Sequence, residues 1–305
     1  MASNASAAAF APPERVGFIG LGNMGAPMAR RLAAAGYRLV VADAAPAALE
    51  RFAAETPCER AADLASLGKS CRVVITMLPD GKVVRNVLLG ANGVVPSLAA
   101  GSVVIDMSSA SPVGTRELAV DLAKVGIPLV DAPVSGGVKK AADGSLAIMV
   151  GGEAAPVARC RPLLDVMGKV FLTGASGSGH AMKSLNNFLS AANLAVAAEA
   201  IIAGQRFGLD PATMIAILNA STGRNSGTDS KFPNNVLPRT FNSGFALGLM
   251  AKDLRLAVEV AHSSHAPAAL LEKCAHIWAE AEKQLGGKAD NTEVVKYLES
   301  LAPQP

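Results

Sequence analysis

The 305-residue chain is half hydrophobic and 17% charged, which is enough apolar content to bury a sizeable core, and its length favours two domains. Its 28 basic and 25 acidic residues leave a net charge of only +3, with no basic run, and this sets aside nucleic acid as a partner. Four cysteines, at 58, 71, 160 and 274, show neither close pairing nor metal-ligand spacing; they are expected to be reduced and mostly buried, with no disulfide and no metal site.

The first 14 residues lack a basic stretch followed by a long apolar core. They are expected to form a disordered tail rather than a secretory signal, in a cytoplasmic protein. From 15 to 176, short β-branched runs alternate with helix-like stretches: 16–19, 38–42, 72–77, 102–106, 127–131 and 146–150. Near-continuous apolar strands separated by helices are what a parallel sheet covered on both faces requires, so this part reads as a doubly wound α/β domain. From 177 to 305 the apolar residues recur at helical spacing and strand candidates vanish, so this part reads as all-helical. Its first segment, 188–203, is long and apolar but mostly alanine and broken by Asn193 and Glu199. That composition predicts a helix buried in protein rather than in lipid.

Between the first strand and the first helix stands Gly20-Leu-Gly-Asn-Met-Gly25. Glycines at its first, third and sixth positions allow a tight turn, close approach of a pyrophosphate to the backbone, and close packing of helix on strand. Gly20, Leu21, Gly22, Asn23, Met24 and Gly25 are therefore candidate cofactor-binding residues. The second strand ends in Asp43, 18 residues beyond Gly25. Its carboxylate can accept both ribose hydroxyls of an adenosine and would repel a 2′-phosphate, which favours NAD over NADP. The alternative is that Asp43 caps the next helix.

Ligands in open parallel sheets bind beyond the carboxyl ends of the strands. Three loops lie there. Met77, Leu78 and Pro79 are expected to line the cofactor cleft through their backbone. The loop Asp106-Met-Ser-Ser-Ala-Ser-Pro112 offers hydroxyls, either to a ligand or to a helix cap. In Asp131-Ala-Pro-Val-Ser-Gly-Gly137, Ser135 is followed by Gly136 and Gly137, which together can present a hydroxyl and free N–H groups to a carboxylate; the alternative is a flexible hairpin connection.

The next candidates open the helical part. In Gly177-Ser-Gly-His-Ala-Met-Lys-Ser-Leu-Asn-Asn187, Lys183 and Asn187 are spaced i, i+4 and share a helix face. A lysine in the first turns of a buried helix loses hydration and feels the positive end of the dipole, and both effects lower its pKa toward the range useful for proton transfer. Such a lysine can take the hydroxyl proton when a hydride leaves an alcohol carbon, while the asparagine amide fixes the oxygen. The alternative is a lysine laying its stem along an apolar surface.

Four motifs in this order, the glycine turn with Ala26-Pro-Met-Ala29, Asp131–Gly137 leading to Gly144-Ser-Leu-Ala-Ile-Met-Val-Gly-Gly152, Gly177–Asn187, and Phe245 with Leu249-Met-Ala-Lys-Asp-Leu254, resemble the β-hydroxyacid dehydrogenase family, which includes 3-hydroxyisobutyrate dehydrogenases. The resemblance runs from Val16 to about Ser300. It implies a Rossmann-type domain and a helical C-terminal domain joined by a long interdomain helix. It further implies NAD-dependent hydride transfer from a small β-hydroxy acid, with Lys183 as catalytic acid/base and Asn187 orienting substrate. By the same resemblance Ser135, Gly136 and Gly137 would bind the substrate carboxylate, Ser109 would lie near the nicotinamide ribose, and Lys252 would approach cofactor and substrate, with Asp253 structural. A homodimer or homotetramer is expected. Lys140, where many relatives carry glycine, leaves the exact substrate open, as does Arg224, which could reach a second anionic group; the alternative, and the favoured reading, is that Arg224 is a solvated loop arginine. Within the family the alternatives are a tartronate semialdehyde reductase or a threonate dehydrogenase; outside it, a non-catalytic dinucleotide-binding protein.

Overall fold

The computed structural model describes residues 8–302. All six apolar runs form strands, and three further strands join them. In chain order they are β1 (Arg15–Ile19), β2 (Arg38–Ala42), β3 (Glu59–Arg60), β4 (Val73–Thr76), β5 (Val103–Asp106), β6 (Leu129–Asp131), β7 (Val134–Ser135), β8 (Leu146–Gly151) and β9 (Gly168–Gly174). They form one sheet in the order β3-β2-β1-β4-β5-β6-β8-β7, with β9 also paired to β8. Strands β1 to β6 are parallel. β8 runs antiparallel to β6 and β7 and parallel to β9. The order of strand addition reverses at β1, with β2 on one side and β4 on the other; such a switch point is where open α/β sheets bind ligands.

Successive residues of a strand point to opposite faces, and here both faces are apolar. Val16, Phe18, Val41, Val73, Ile75, Val103 and Ile105 pack on one side with Met28 and Leu32 of helix Gly25–Ala34. Ile19, Val40, Val74 and Val104 pack on the other with Leu67, Leu88 and Leu122. The continuous apolar strands seen in the sequence are therefore the two linings of a doubly covered sheet. β9 escaped the sequence reading for the converse reason: it is an edge strand on which Phe171 and Leu172 are exposed, so no buried pattern marks it.

Of the expected disordered tail, residues 1–7 lie outside the described residues. Residues 8–14 correct the expectation. Phe10 is fully buried in the first face's core; its N–H donates to the Arg159 carbonyl at 2.9 Å, its carbonyl accepts the Tyr37 hydroxyl at 3.0 Å, and the Arg159 guanidinium lies 4.4 Å from its ring centroid. The alanine-rich composition concealed one aromatic with enough area to anchor the segment.

The chain divides into two compact units, Met1–Lys183 and Ser184–Pro305, with the boundary inside the 30-residue helix Ser178–Phe207. By length and composition this helix could cross a membrane. Its apolar residues Ala191, Leu194, Ala195, Ala198 and Ile201 are buried in the second unit's core, with Met250 and Leu254 of helix Leu247–Ser263 and Trp278 of helix Ala269–Leu285. Spacings of three and four residues put these positions on one face of the helix.

Removing the Phe10 ring tests the correction to the tail. Phe10→Ala should lower stability by about 3 kcal/mol, the usual cost of emptying a buried aromatic site, read as a shift of the denaturant midpoint at unchanged slope. A disordered tail would give no shift.

Candidate active site

The glycine turn is built as its spacing demands. A Cβ on Gly20 would run into the Met77 carbonyl, and one on Gly25 into the Gly20 carbonyl, whereas one on Gly22 would meet nothing within 4 Å. The outer glycines thus serve the packing of strand, turn and helix, and Gly22 leaves open space above the turn. That opening, at the start of helix Gly25–Ala34, fits the pyrophosphate of a dinucleotide. Asp43, half-buried just past β2, accepts the Leu21 N–H at 2.6 Å and the Ala45 N–H at 2.7 Å, one on each oxygen. The N-cap of the next helix is Ala45, so the carboxylate braces the glycine turn rather than capping. Each oxygen keeps a lone pair for a ribose hydroxyl.

The loops after β4 and β5 are tied together. The Met77 N–H donates to the Ile19 carbonyl at 2.9 Å, and the Leu78 N–H to the Ser108 hydroxyl at 2.9 Å. Two of the backbone donors expected to face a cofactor are thus engaged by the protein. Ser111 is a helix cap, accepting the Gly114 N–H at 2.9 Å. Ser109 is half-buried between these two serines.

The start of helix Ser178–Phe207 is held by a residue to which the sequence assigned no such task. Asp131, at the end of β6 and fully buried, accepts the Gly177 N–H at 2.7 Å on one carboxylate oxygen and the His180 N–H at 3.0 Å on the other. These are N–H groups that a helix terminus leaves without an internal partner. The two glycines of the motif now have reasons. Gly177 has φ of +85°, and a Cβ on Gly179 would lie 2.8 Å from the Asp131 carboxylate and crowd the Met149 carbonyl. Lys183 follows His180 by one turn and is half-buried.

In the second unit Asn187 is buried and donates its amide to Asp253 Oδ2 at 2.6 Å. Its own Oδ1 accepts from Asn186 at 3.2 Å, which leaves one Nδ2 hydrogen for a ligand. Lys252 Nζ lies 3.6 Å from the other Asp253 oxygen. Asp253 is therefore a positioning residue for two predicted site residues as well as a structural one. Lys231, half-buried in the second unit, went unremarked in the sequence. It donates to Asn291 Oδ1 at 2.9 Å, and burial pushes its ammonium down to about 8, against an opposing pull from Asp290. Asn291 in turn donates to the Phe245 carbonyl at 2.9 Å and the Ser243 hydroxyl at 3.0 Å, fastening the segment that precedes helix Leu247–Ser263.

Ser135 closes β7, and Gly136 and Gly137, with φ of +138° and +69°, turn the chain into helix Gly137–Asp143. This is an ordered strand-to-helix turn, not a flexible hairpin. The Lys140 side chain folds back across Gly136, since a Cβ there would lie 2.6 Å from its Cδ. Arg224 is engaged in its own loop by Asp229, with nitrogen and oxygen 3.0 Å apart.

The class that this sheet and glycine turn define is the dinucleotide-binding proteins. Residues 15–177 match the NAD binding domain of 6-phosphogluconate dehydrogenase, and residues 177–298 match the family described as NAD-binding of NADP-dependent 3-hydroxyisobutyrate dehydrogenase. The chain is 37% identical over 291 residues to 2-(hydroxymethyl)glutarate dehydrogenase of Eubacterium barkeri, covering 94% of this chain and 95% of that one. It is 42% identical over 292 residues to human mitochondrial 3-hydroxyisobutyrate dehydrogenase, covering 93% and 86%. The solved structure of Mycobacterium tuberculosis 3-hydroxyisobutyrate dehydrogenase with L-serine superposes with a TM-score of 0.86 at 34% identity, covering 93% of this chain and 99% of that one. The chain belongs to the β-hydroxyacid dehydrogenase family: it is an NAD-dependent oxidoreductase of hydroxy acids.

Two outcomes follow from this geometry. Gly22→Ala should weaken NADH binding at least about tenfold, because the added methyl fills the space a pyrophosphate needs, and leave the melting temperature unchanged; Gly25→Ala should lower the melting temperature. NADH fluorescence titration and calorimetry separate the two. The folded Lys231 releases its proton near pH 8, below its ordinary value of 10.5. Between those values the unfolded chain binds the extra proton, so stability should rise with pH across that window. Denaturation curves at pH 7.5 and 10 read the rise, and Lys231→Met should flatten it.

Proposed function

We propose that this enzyme oxidises a small β-hydroxy acid of the form HOCH2–CHR–COO⁻, the 3-hydroxyisobutyrate type. The observation that supports this reading most is the ordered Ser135–Gly137 turn, where a half-buried hydroxyl and two glycines in left-handed conformation face solvent. A concave run of backbone N–H groups is suited to a carboxylate, and the Lys140 stem lying across Gly136 adds a cation at its edge. Two relatives' names support the same reading. 3-Hydroxyisobutyrate and 2-(hydroxymethyl)glutarate both carry a hydroxymethyl group on the carbon next to a carboxylate, and differ in R.

Bound NAD supplies the hydride acceptor. Lys183 Nζ takes the hydroxyl proton in oxidation and returns it in reduction. Asn187, its amide aimed by Asp253, donates its remaining Nδ2 hydrogen to the reacting oxygen. Ser135, Gly136 and Gly137 hold the carboxylate, and Asp43 holds the adenosine ribose. We further assign the protein to a homo-oligomer; Leu189, Val196 and Phe207 of the long helix are exposed, and a second copy would cover them.

Purified protein should form NADH from at least one member of a panel of 3-hydroxyisobutyrate, 2-(hydroxymethyl)glutarate, L-serine, D- and L-glycerate and threonate, and prefer NAD to NADP. Lys183→Ala should lower kcat by about 10³-fold, within the range of a lost general base, with NADH affinity unchanged. Turnover that survives Lys183→Ala, or turnover of none of these acids, would sink the assignment.

A further inference from the structure

A buried polar cluster surrounds His180, whose side chain has no role in the site described above. Its side chain is buried at the heart of the first unit, with Asp106 and Asp131 carboxylate oxygens 3.8 Å and 3.9 Å away. Nε2 lies 3.0 Å from the Ser108 carbonyl and Nδ1 lies 2.8 Å from the Thr115 hydroxyl. A carbonyl only accepts, so Nε2 carries a proton and donates to Ser108. The Thr115 hydroxyl has a second acceptor within reach, the Ser111 carbonyl at 2.9 Å. Ser108 is itself a junction: its hydroxyl accepts the Leu78 N–H and its N–H donates to Asp106 at 3.0 Å.

The path through this cluster is short and continuous. It runs from the loop of Met77 and Leu78 to Ser108, next in the chain to Ser109, then across the imidazole to the helix turn that precedes Lys183. Asp131 holds the backbone of the same turn. An alkyl side chain at 180 would fill the space and leave the buried Ser108 carbonyl without its donor. We infer that His180 is a positioning residue: its Nε2–Ser108 bond locks the Lys183 turn to the Ser108–Ser109 loop, so that the proton-transferring amine and the loop beside the nicotinamide ribose keep one mutual setting. The inference rests on the roles proposed above for Lys183 and Ser109. It ascribes the positioning to the Nε2 bond with Ser108 and not to the Nδ1 bond with the Thr115 hydroxyl.

That division makes it testable. A glutamine amide nitrogen stands where Nε2 was, and an asparagine amide nitrogen where Nδ1 was. His180→Gln therefore keeps the Ser108 bond, and His180→Asn keeps the Thr115 contact. His180→Gln should retain kcat within about threefold of the wild type. His180→Asn should lower kcat about 10²-fold, the scale of a misplacement of about 1 Å at a reacting centre, and weaken NADH affinity several-fold. It should also raise the deuterium isotope effect of substrate labelled at the carbinol carbon, which loss of folded protein alone would not do. Thr115→Val, which removes the Nδ1 partner at nearly constant volume, should leave kcat and isotope effect unchanged, and decides the matter even where the asparagine variant does not fold. Equal losses in the glutamine and asparagine variants, or a kcat loss and raised isotope effect in Thr115→Val, overturn the inference. If the wild type binds NADH and oxidises none of the acids, the proposed function fails while the NADH affinities of the variants still decide the role of His180.

Discussion

The arrangement turns on the pairing of one buried carboxylate with one helix end. Asp131 is completely inaccessible, and an ionised carboxylate taken out of water is costly unless its oxygens find donors. The terminus of helix Ser178–Phe207 has the complementary need, because its first N–H groups lack internal acceptors. Each meets the need of the other through Gly177 and His180. The pairing also sets an anion at the positive end of the helix dipole. Lys183 takes its place on the helix from this end, and the absence of side chains at 177 and 179 is what lets the carboxylate come close.

The dinucleotide side follows the same economy. Three glycines that look equivalent in the sequence divide into two that pack and one that leaves space. Asp43 braces the turn through Leu21 while keeping lone pairs outward, so one side chain shapes the site and remains available to a ligand. Asp253 repeats the device in the second unit, where a single carboxylate orients Asn187 and neighbours Lys252. In each case an acid placed by the fold fixes the direction of groups proposed to bind a ligand.

Legibility in the sequence varied with the range of the interaction. The six apolar strands were readable because burial on both faces writes a continuous run of Val, Ile and Leu. The edge strand Gly168–Gly174 was not, because its neighbours lie on one side only and Phe171 and Leu172 stay exposed. Phe10 was hidden in a polar-to-alanine average. The candidate site residues of the glycine turn and the Lys183 helix were visible because the chemistry proposed for them depends on spacing within a few positions. Asp131, His180, Asp253 and Lys231 were undervalued because their partners lie 46 to 72 positions away in the chain.

The sequence by itself determined the doubly wound half, the helical half, the dinucleotide turn and the lysine–asparagine pair, since each is a local pattern of period, spacing or residue type. Only the tertiary structure decided that Asp43 braces the glycine turn instead of capping a helix, that Ser135–Gly137 is a firm turn, that Arg224 is occupied by Asp229, and that Asp131 caps the helix bearing Lys183. Hydrogen bonds between distant segments depend on which donors and acceptors the packed sheet brings within about 3 Å, and no periodicity in the chain records that distance.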